Sequence, residues 1–275
     1  MPAPTIILEP GRLQRQYWRD LWRYRELLGF LAWRDVVVHY KQTLIGVAWA
    51  VLRPLATTAV FVLVFSKVAG LEPPAGVSYT LLVLAGMLPW QMFATALSES
   101  SNSLVVNSQL ISKIYFPRLL IPLSAVAVSL VDLLVSAPVL AGLMVWEGHY
   151  PPAWRLLMLP LFVTLAAGAA LGAGLWLAAL NVRYRDVRYV IPFLVQFGLY
   201  LSPVGFRTAV VPEAYRHLYA LNPMVGVIEG FRWALLGTVA LDAGALALGT
   251  AVTATLLAVG VWYFRRTERT FADVI

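Results

Sequence analysis

Residues 119–146, LLIPLSAVAVSLVDLLVSAPVLAGLMVW, run for 28 positions with a single charged side chain, Asp132. An α-helix rising 1.5 Å per residue needs roughly 20 apolar residues to cross about 30 Å of hydrocarbon. This stretch exceeds that length, enough to tilt or to kink at Pro122 or Pro138. The same criterion selects five further segments: 46–68, 79–97, 156–180, 189–206 and 243–264, of which 189–206 is the shortest. Across all 275 residues, 60% are hydrophobic, 13% are charged and the mean hydropathy is +0.74, which excludes an ordinary water-soluble domain. The expected fold is an all-α integral membrane protein with six transmembrane helices in one domain, 1–275.

Loops on the cytoplasmic side of a membrane retain Lys and Arg. With both termini cytoplasmic, 16 of the 21 Lys and Arg residues fall inside, leaving Lys67, Arg155, Arg207, Arg216 and Arg232 outside or near the outer face. An even number of spans agrees independently with both ends lying in the cytoplasm. The net charge of +7 is therefore a topology signal, and no soluble basic face for nucleic acid accompanies it. Cysteine is absent, which excludes disulfides and thiolate metal sites. The first forty residues are Arg-rich and interrupted, and lack the uncharged core of a signal peptide.

Three segments outside the spans carry information. Residues 12–31 place Tyr17, Leu21, Tyr24, Leu28 and Leu31 on one helical face and Arg12, Arg15, Arg19, Arg23 and Glu26 on the other, the pattern of a helix lying on the membrane surface. Residues 98–118 begin polar and become amphipathic. From Ser108 on, Leu110, Ile111, Ile114 and Tyr115 share a face opposite Ser108, Gln109, Ser112 and Lys113, and Pro117 closes the helix. A plain interfacial turn and a docking site both account for that spacing. Residues 207–242 are long, semi-apolar and punctuated by Pro212, Asn222-Pro223, Gly230 and Gly237, which predicts two short helices over 213–221 and 224–236. They can dip into the outer leaflet if they pack on protein or line a cavity. No internal repeat relates the six spans, which weakens an inverted-repeat transporter.

Little supports an enzyme. His39, His149 and His217 are scattered, no Gly-x-x-x-x-Gly-Lys-Ser/Thr phosphate loop occurs, and Glu99 and Asp132, within or beside the inner halves of spans, lie on different helices. Asp132 must face protein or water, because an Asp at a span centre costs roughly 2.5 to 3.5 kcal/mol. A hydrogen bond to a neighbouring helix and a part in conduction fit equally. Arg53 lies about two turns into the first span, where it can snorkel inward or attract an anionic head group. Tyr189, Phe193, Phe197 and Tyr200 form an aromatic stripe on the fifth span, suited to lipid contact and packing or to stacking on sugar C–H faces. Gly168-x-x-x-Gly172 permits a close helix approach within or between subunits.

The run Arg34-Asp35-Val36-Val37-Val38-His39-Tyr40-Lys41-Gln42-Thr43-Leu44-Ile45-Gly46-Val47-Ala48-Trp49-Ala50-Val51-Leu52-Arg53-Pro54 resembles the approach to the first span in permease subunits of bacterial polysaccharide ABC exporters, which move O-antigen or teichoic acid. Leu110-Ile111-Ser112-Lys113-Ile114-Tyr115-Phe116-Pro117-Arg118, Asn181-Val182-Arg183-Tyr184-Arg185-Asp186-Val187, Leu221-Asn222-Pro223 and Gly230-Phe231-Arg232 are similar to the same family, in the expected order. His39 and Arg53 depart from it, where relatives often carry Arg and Gln.

The resemblance implies a homodimer around a central conduit in the bacterial inner membrane, driven by two copies of a separate ATPase that holds the ATP and Mg; this chain would bind no cofactor or metal. On that basis 12–31 is the interface helix and 104–115 the coupling helix. Leu110, Ile111, Lys113, Ile114, Tyr115, Phe116 and Arg118 are the expected ATPase-coupling residues. Trp49, Phe61, Trp90, Phe93, Phe193, Phe197 and Tyr200 are expected to line the conduit, and Arg34, Lys41 and Arg53 to form the head-group entrance. Pro212, Tyr215, Asn222, Pro223, Glu229 and Arg232 are the expected periplasmic gate residues within 207–242. The expected substrate is a polysaccharide linked to undecaprenyl diphosphate. Export of a drug, a lipid, teichoic acid or capsular polysaccharide would use the same coupling logic. A membrane transferase would need a carboxylate or histidine cluster, and a channel would need no ATPase.

Overall fold

A computed structural model describes residues 13–41, 48–184, 186–237, 240–268 and 271. Arg12, Arg185 and Arg269 of the charge pattern lie outside the described residues. The chain begins with two helices, α1 (Leu13–Arg23) and α2 (Arg25–Lys41), separated at Tyr24. One helix over 12–31 was expected; instead the second helix continues ten residues further. The expected apolar face is nevertheless correct, since Tyr17 and Leu31 are buried with Leu21, Tyr24 and Leu28 packed around them. That face meets protein, leaving Trp18, Trp22, Phe30 and Trp33 as the exposed aromatics.

The long helices follow the hydropathy. α3 (Ala48–Phe61) continues as a π-helical stretch, Val62–Val68, and is followed by α4 (Tyr79–Val106), α5 (Ser108–Lys113), α6 (Leu120–Trp146), α7 (Ala153–Leu156) and α8 (Leu159–Arg183). Then come α9 (Val187–Leu201), α10 (Glu213–Tyr219), α11 (Pro223–Leu236) and α12 (Ala243–Thr267). Among the described residues, five stretches are long and apolar enough to cross a membrane: Ala48–Val68, Tyr79–Val106, Leu120–Trp146, Ala153–Arg183 and Ala243–Thr267. The chain is a multi-pass membrane protein. The segment expected to span at 189–206 forms only the 15-residue α9, about 22 Å long at helical rise, because Pro203 and Gly205 end it.

α4 is the central helix: 78% of its most apolar window is buried, against 17–28% for the other four. It packs along α6 and α8, α8 packs on α12, and α2 lies against α6. α4 also runs nine residues beyond its expected end at Leu97. Two of the polar residues beyond Leu97 bond within the helix, Ser101 Oγ donating to Leu97 O and Asn102 Nδ2 to Ser98 O. Asn181 of α8 completes the set by donating to Ser101 O and Asn102 Oδ1. At the crossing of α8 and α12 two glycines meet, and a Cβ on Gly260 would stand 2.2 Å from the carbonyl oxygen of Gly172. The Gly168-x-x-x-Gly172 motif is thus used within the subunit.

Candidate functional site

Two regions gather part of the expected functional residues. At the end formed by α1, α2 and the C-terminal part of α12, a polar joint at Asn107 separates α4 from α5. The Asn107 carbonyl accepts from the amides of Leu110 and Ile111, which starts the new helix. The helix was expected to continue through Tyr115, yet Ile114 is already extended (φ −129°, ψ 135°). Pro117 disfavours helical geometry at Phe116, and the buried Phe116 ring draws the chain inward before the proline.

The single coupling face expected from helical spacing is therefore split. Ile111 is 5% exposed and packs with Leu104, Phe116 and Phe264, while Ile114 and Tyr115 are 56% and 60% exposed. Leu110 is partly buried beside Ile111, and Lys113 is exposed. The outward surface consists of Lys113, Ile114 and Tyr115 together with exposed Val105 and Val106 at the end of α4. Those two valines were missed because periodicity was counted from Ser108. Arg118 turns inward: its amide donates to Glu268 Oε1 at 3.0 Å and its guanidinium to the Glu268 carbonyl. Burial pushes the Glu268 carboxyl up, and the Arg118 amide and guanidinium pull it back down.

The three cations of the expected head-group entrance have different surroundings. Arg34 pairs with Asp35 at 2.6 Å and donates to Asn107 Oδ1 at 2.7 Å. Lys41 and Arg53 are exposed on α2 and α3. Asp132 accepts from the Tyr40 hydroxyl and lies 3.9 Å from His39 Nε2, so α2 supplies the partners that a carboxylate in a span requires.

Beside the middle of α4, a groove of about 600 Å³ lies between α4, α9 and α10. Trp90 and Phe93, 5.3 Å apart, form one wall, Leu194, Gly198 and Leu201 a second, and Tyr215, Tyr219 and Asn222 a third. The groove thus brings together two expected conduit aromatics and two expected gate residues. Gly198 admits the indole of Trp90, since a Cβ there would come within 2.8 Å of the ring. Gly198→Val is expected to displace Trp90 and reduce transport at least tenfold while leaving the protein inserted, as read by transport and by yield in membranes.

The other aromatics lie outside this groove. Phe193 and Phe197 are exposed and stacked at 5.7 Å, and exposed Tyr200 stacks on buried Phe61 at 6.2 Å. Trp49 is exposed on α3. The breakers of 207–242 act as expected: Pro212 precedes α10, and Asn222 caps α11 by accepting from the Met224 amide at 3.0 Å, with Pro223 in the first turn. Asn222 Nδ2 also donates to Ser202 Oγ at 2.9 Å. Arg232 is fully buried. It donates to the carbonyls of Leu82, Val204 and Phe206 at 3.1, 2.7 and 3.0 Å, and lies 3.6 Å from Glu229, which accepts from Thr208 Oγ1 at 2.7 Å.

A family model described as ABC-2 type transporter matches residues 26–236. The chain is 27% identical over 259 residues to the O-antigen export system permease protein RfbA of Myxococcus xanthus, covering 94% of this chain and 98% of that protein. It is 26% identical over 251 residues to the protein of the same name from Klebsiella pneumoniae, covering 91% and 95%. The polysialic acid transport protein KpsM of Escherichia coli is 25% identical over 206 residues, covering 74% of this chain and 78% of KpsM.

Proposed function

The chain belongs to the ABC-2 type transporter family, and from that premise we propose that it is the permease subunit of an ATP-driven exporter that carries a lipid-linked, O-antigen-like polysaccharide from cytoplasm to periplasm. The observation that carries this reading is the pairing of an outward-facing segment, Lys113, Ile114 and Tyr115, just past the end of the central helix with an aromatic groove beside the middle of that same helix. A chain without a phosphate loop takes its ATP energy from a partner, and the exposed segment is where that partner would push. Two permease copies and two ATPase subunits, which hold the ATP and Mg, form the working unit. Both termini and α5 lie in the cytoplasm of a bacterial inner-membrane protein, following the Lys and Arg distribution. α9 with residues 202–206 completes a sixth crossing, and α10 and α11 dip back as the outer gate.

Aromatic faces stack on sugar C–H groups without gripping them by fixed hydrogen bonds, which suits a polymer that must slide. The exposed stripe of Tyr189, Phe193, Phe197 and Tyr200 gives the conduit that surface. Lys41 and Arg53, both exposed, are the cations left to meet a diphosphate head group. Deleting the chromosomal gene is expected to remove surface polysaccharide and to leave lipid-linked polymer inside the cell. Unchanged surface polysaccharide with altered drug resistance or lipid composition would instead assign export of a drug or lipid.

The gate reading has its own test in this Cys-free chain. Leu194→Cys with Tyr215→Cys places one thiol on each side of the groove. Bridging them with a short bifunctional maleimide is expected to stop export, and cleaving a reducible version of the bridge to restore it. Export that continues through a complete bridge removes α10 from the gate.

A further inference from the structure

The segment from α5 to Arg118 is fastened at both ends, each time to a helix distant in sequence. At the start, Asn107 donates its side-chain amide to Ser103 O at 2.9 Å and accepts from Arg34 of α2 at 2.7 Å. Arg34 also holds Asp35, whose second oxygen accepts from Ser124 Oγ of α6 at 2.9 Å. At the finish, Arg118 grips Glu268 at the end of α12 through both its backbone amide and its guanidinium. Residue Ile114 is extended, so helical stiffness ends before the chain reaches α6. A push on the exposed tip therefore reaches the bundle through side-chain packing and these two polar contacts. Each pairs an ionised side chain with a fixed partner, the stronger class of hydrogen bond.

We propose that Asn107 and Glu268 are positioning residues that pass displacement of this segment to α2 and α12, and so set how much transport each ATP hydrolysis yields. This rests on the reading that a separate ATPase pushes on α5. Both residues lie behind the exposed tip, so they act through Arg34 and Arg118 and need no contact with the partner. Coupling carried this way depends on a demonstrated effect at a distance, and a measured export-to-hydrolysis ratio supplies it.

The test uses the full-length permease co-expressed with its ATPase and reconstituted in vesicles, comparing the wild type with Asn107→Ala, Glu268→Ala and the conservative variants Asn107→Asp and Glu268→Gln. The latter two keep a side-chain oxygen to accept from Arg34 or from the Arg118 amide. Expected is ATPase co-purification and basal hydrolysis within about twofold of wild type, with export per ATP reduced about tenfold in the alanine variants and restored to within about threefold by Asp and Gln, the scale set by loss of one charge-assisted bond. Alanine variants that retain the ATPase with wild-type export per ATP overturn this proposal alone. Loss of export only in step with lost ATPase or lost folded protein also overturns it, by reducing both residues to structural roles. A wild-type chain that retains no ATPase overturns the docking reading and this proposal together.

Discussion

Arg232→Met is expected to abolish export and to lower stability by about 3 to 5 kcal/mol, the usual cost of removing one partner from a buried charged network. The guanidinium has no exposed surface, and its three carbonyl acceptors belong to α4 and to the turn that follows α9. Arg232 therefore fixes α11 relative to the loop that leads into α10. Methionine fills much of the volume but donates nothing, so Leu82, Val204 and Phe206 lose a donor and Glu229 loses its cation. Arg232→Lys keeps the charge but lacks the planar fork needed for carbonyls in three directions, and an intermediate loss is expected. Thermal unfolding in detergent, measured beside export, separates these outcomes. A methionine variant as stable and active as the wild type would leave Arg232 without a structural task.

Gly260→Val is expected to have the second-largest effect. A Cβ at this position meets the Gly172 carbonyl at 2.2 Å, and a Cβ on Gly172 meets the backbone of Leu256 and Leu257 at 2.6 Å. No rotamer change relieves a clash with backbone, so α8 and α12 must separate. Overpacking of this kind costs about 1 to 3 kcal/mol, and backbone contact on both sides puts it at the upper end or beyond. Gly168→Ala is the control, because its new methyl meets only side-chain atoms of Thr253 and Leu257, at 3.1 and 3.2 Å. The expected order of thermal midpoints is wild type, Gly168→Ala, then Gly260→Val. If Gly172 instead served contact between subunits, Gly172→Ala would change the oligomeric mass and leave the midpoint alone.

The membrane character and the positions of the long helices were legible because hydropathy over twenty residues outweighs local detail. The two helices of 207–242 were legible because Pro212 and Asn222-Pro223 interrupt the chain where a cap is needed, and the structure places them at Glu213–Tyr219 and Pro223–Leu236. What escaped was decided by partners distant in sequence. Ser98 to Leu104 read as a polar segment outside the span because the side-chain bonds to carbonyls four residues back, and those from Asn181, leave no mark in composition. The burial of Arg232 was not legible because its three acceptors lie on backbone far along the chain. Ile111 and Ile114 looked equivalent on a helical wheel, yet Phe116 and Pro117 bend the chain between them into a buried and an exposed residue. Arg34 was expected at the head-group entrance, and only the fold brings it to Asn107.

In the proposed mechanism a separate ATPase drives this permease through the exposed tip of the α5 segment. Ile114→Asp combined with Tyr115→Asp tests it without disturbing the buried Ile111, since both side chains are exposed. The decisive measurement is the ratio of ATPase to permease that co-purifies from membranes, read beside the folded yield of the permease. The double variant is expected to fold to wild-type yield and to lose the ATPase by at least tenfold, with export lost in parallel. A double variant that retains the ATPase and exports at the wild-type rate would contradict it.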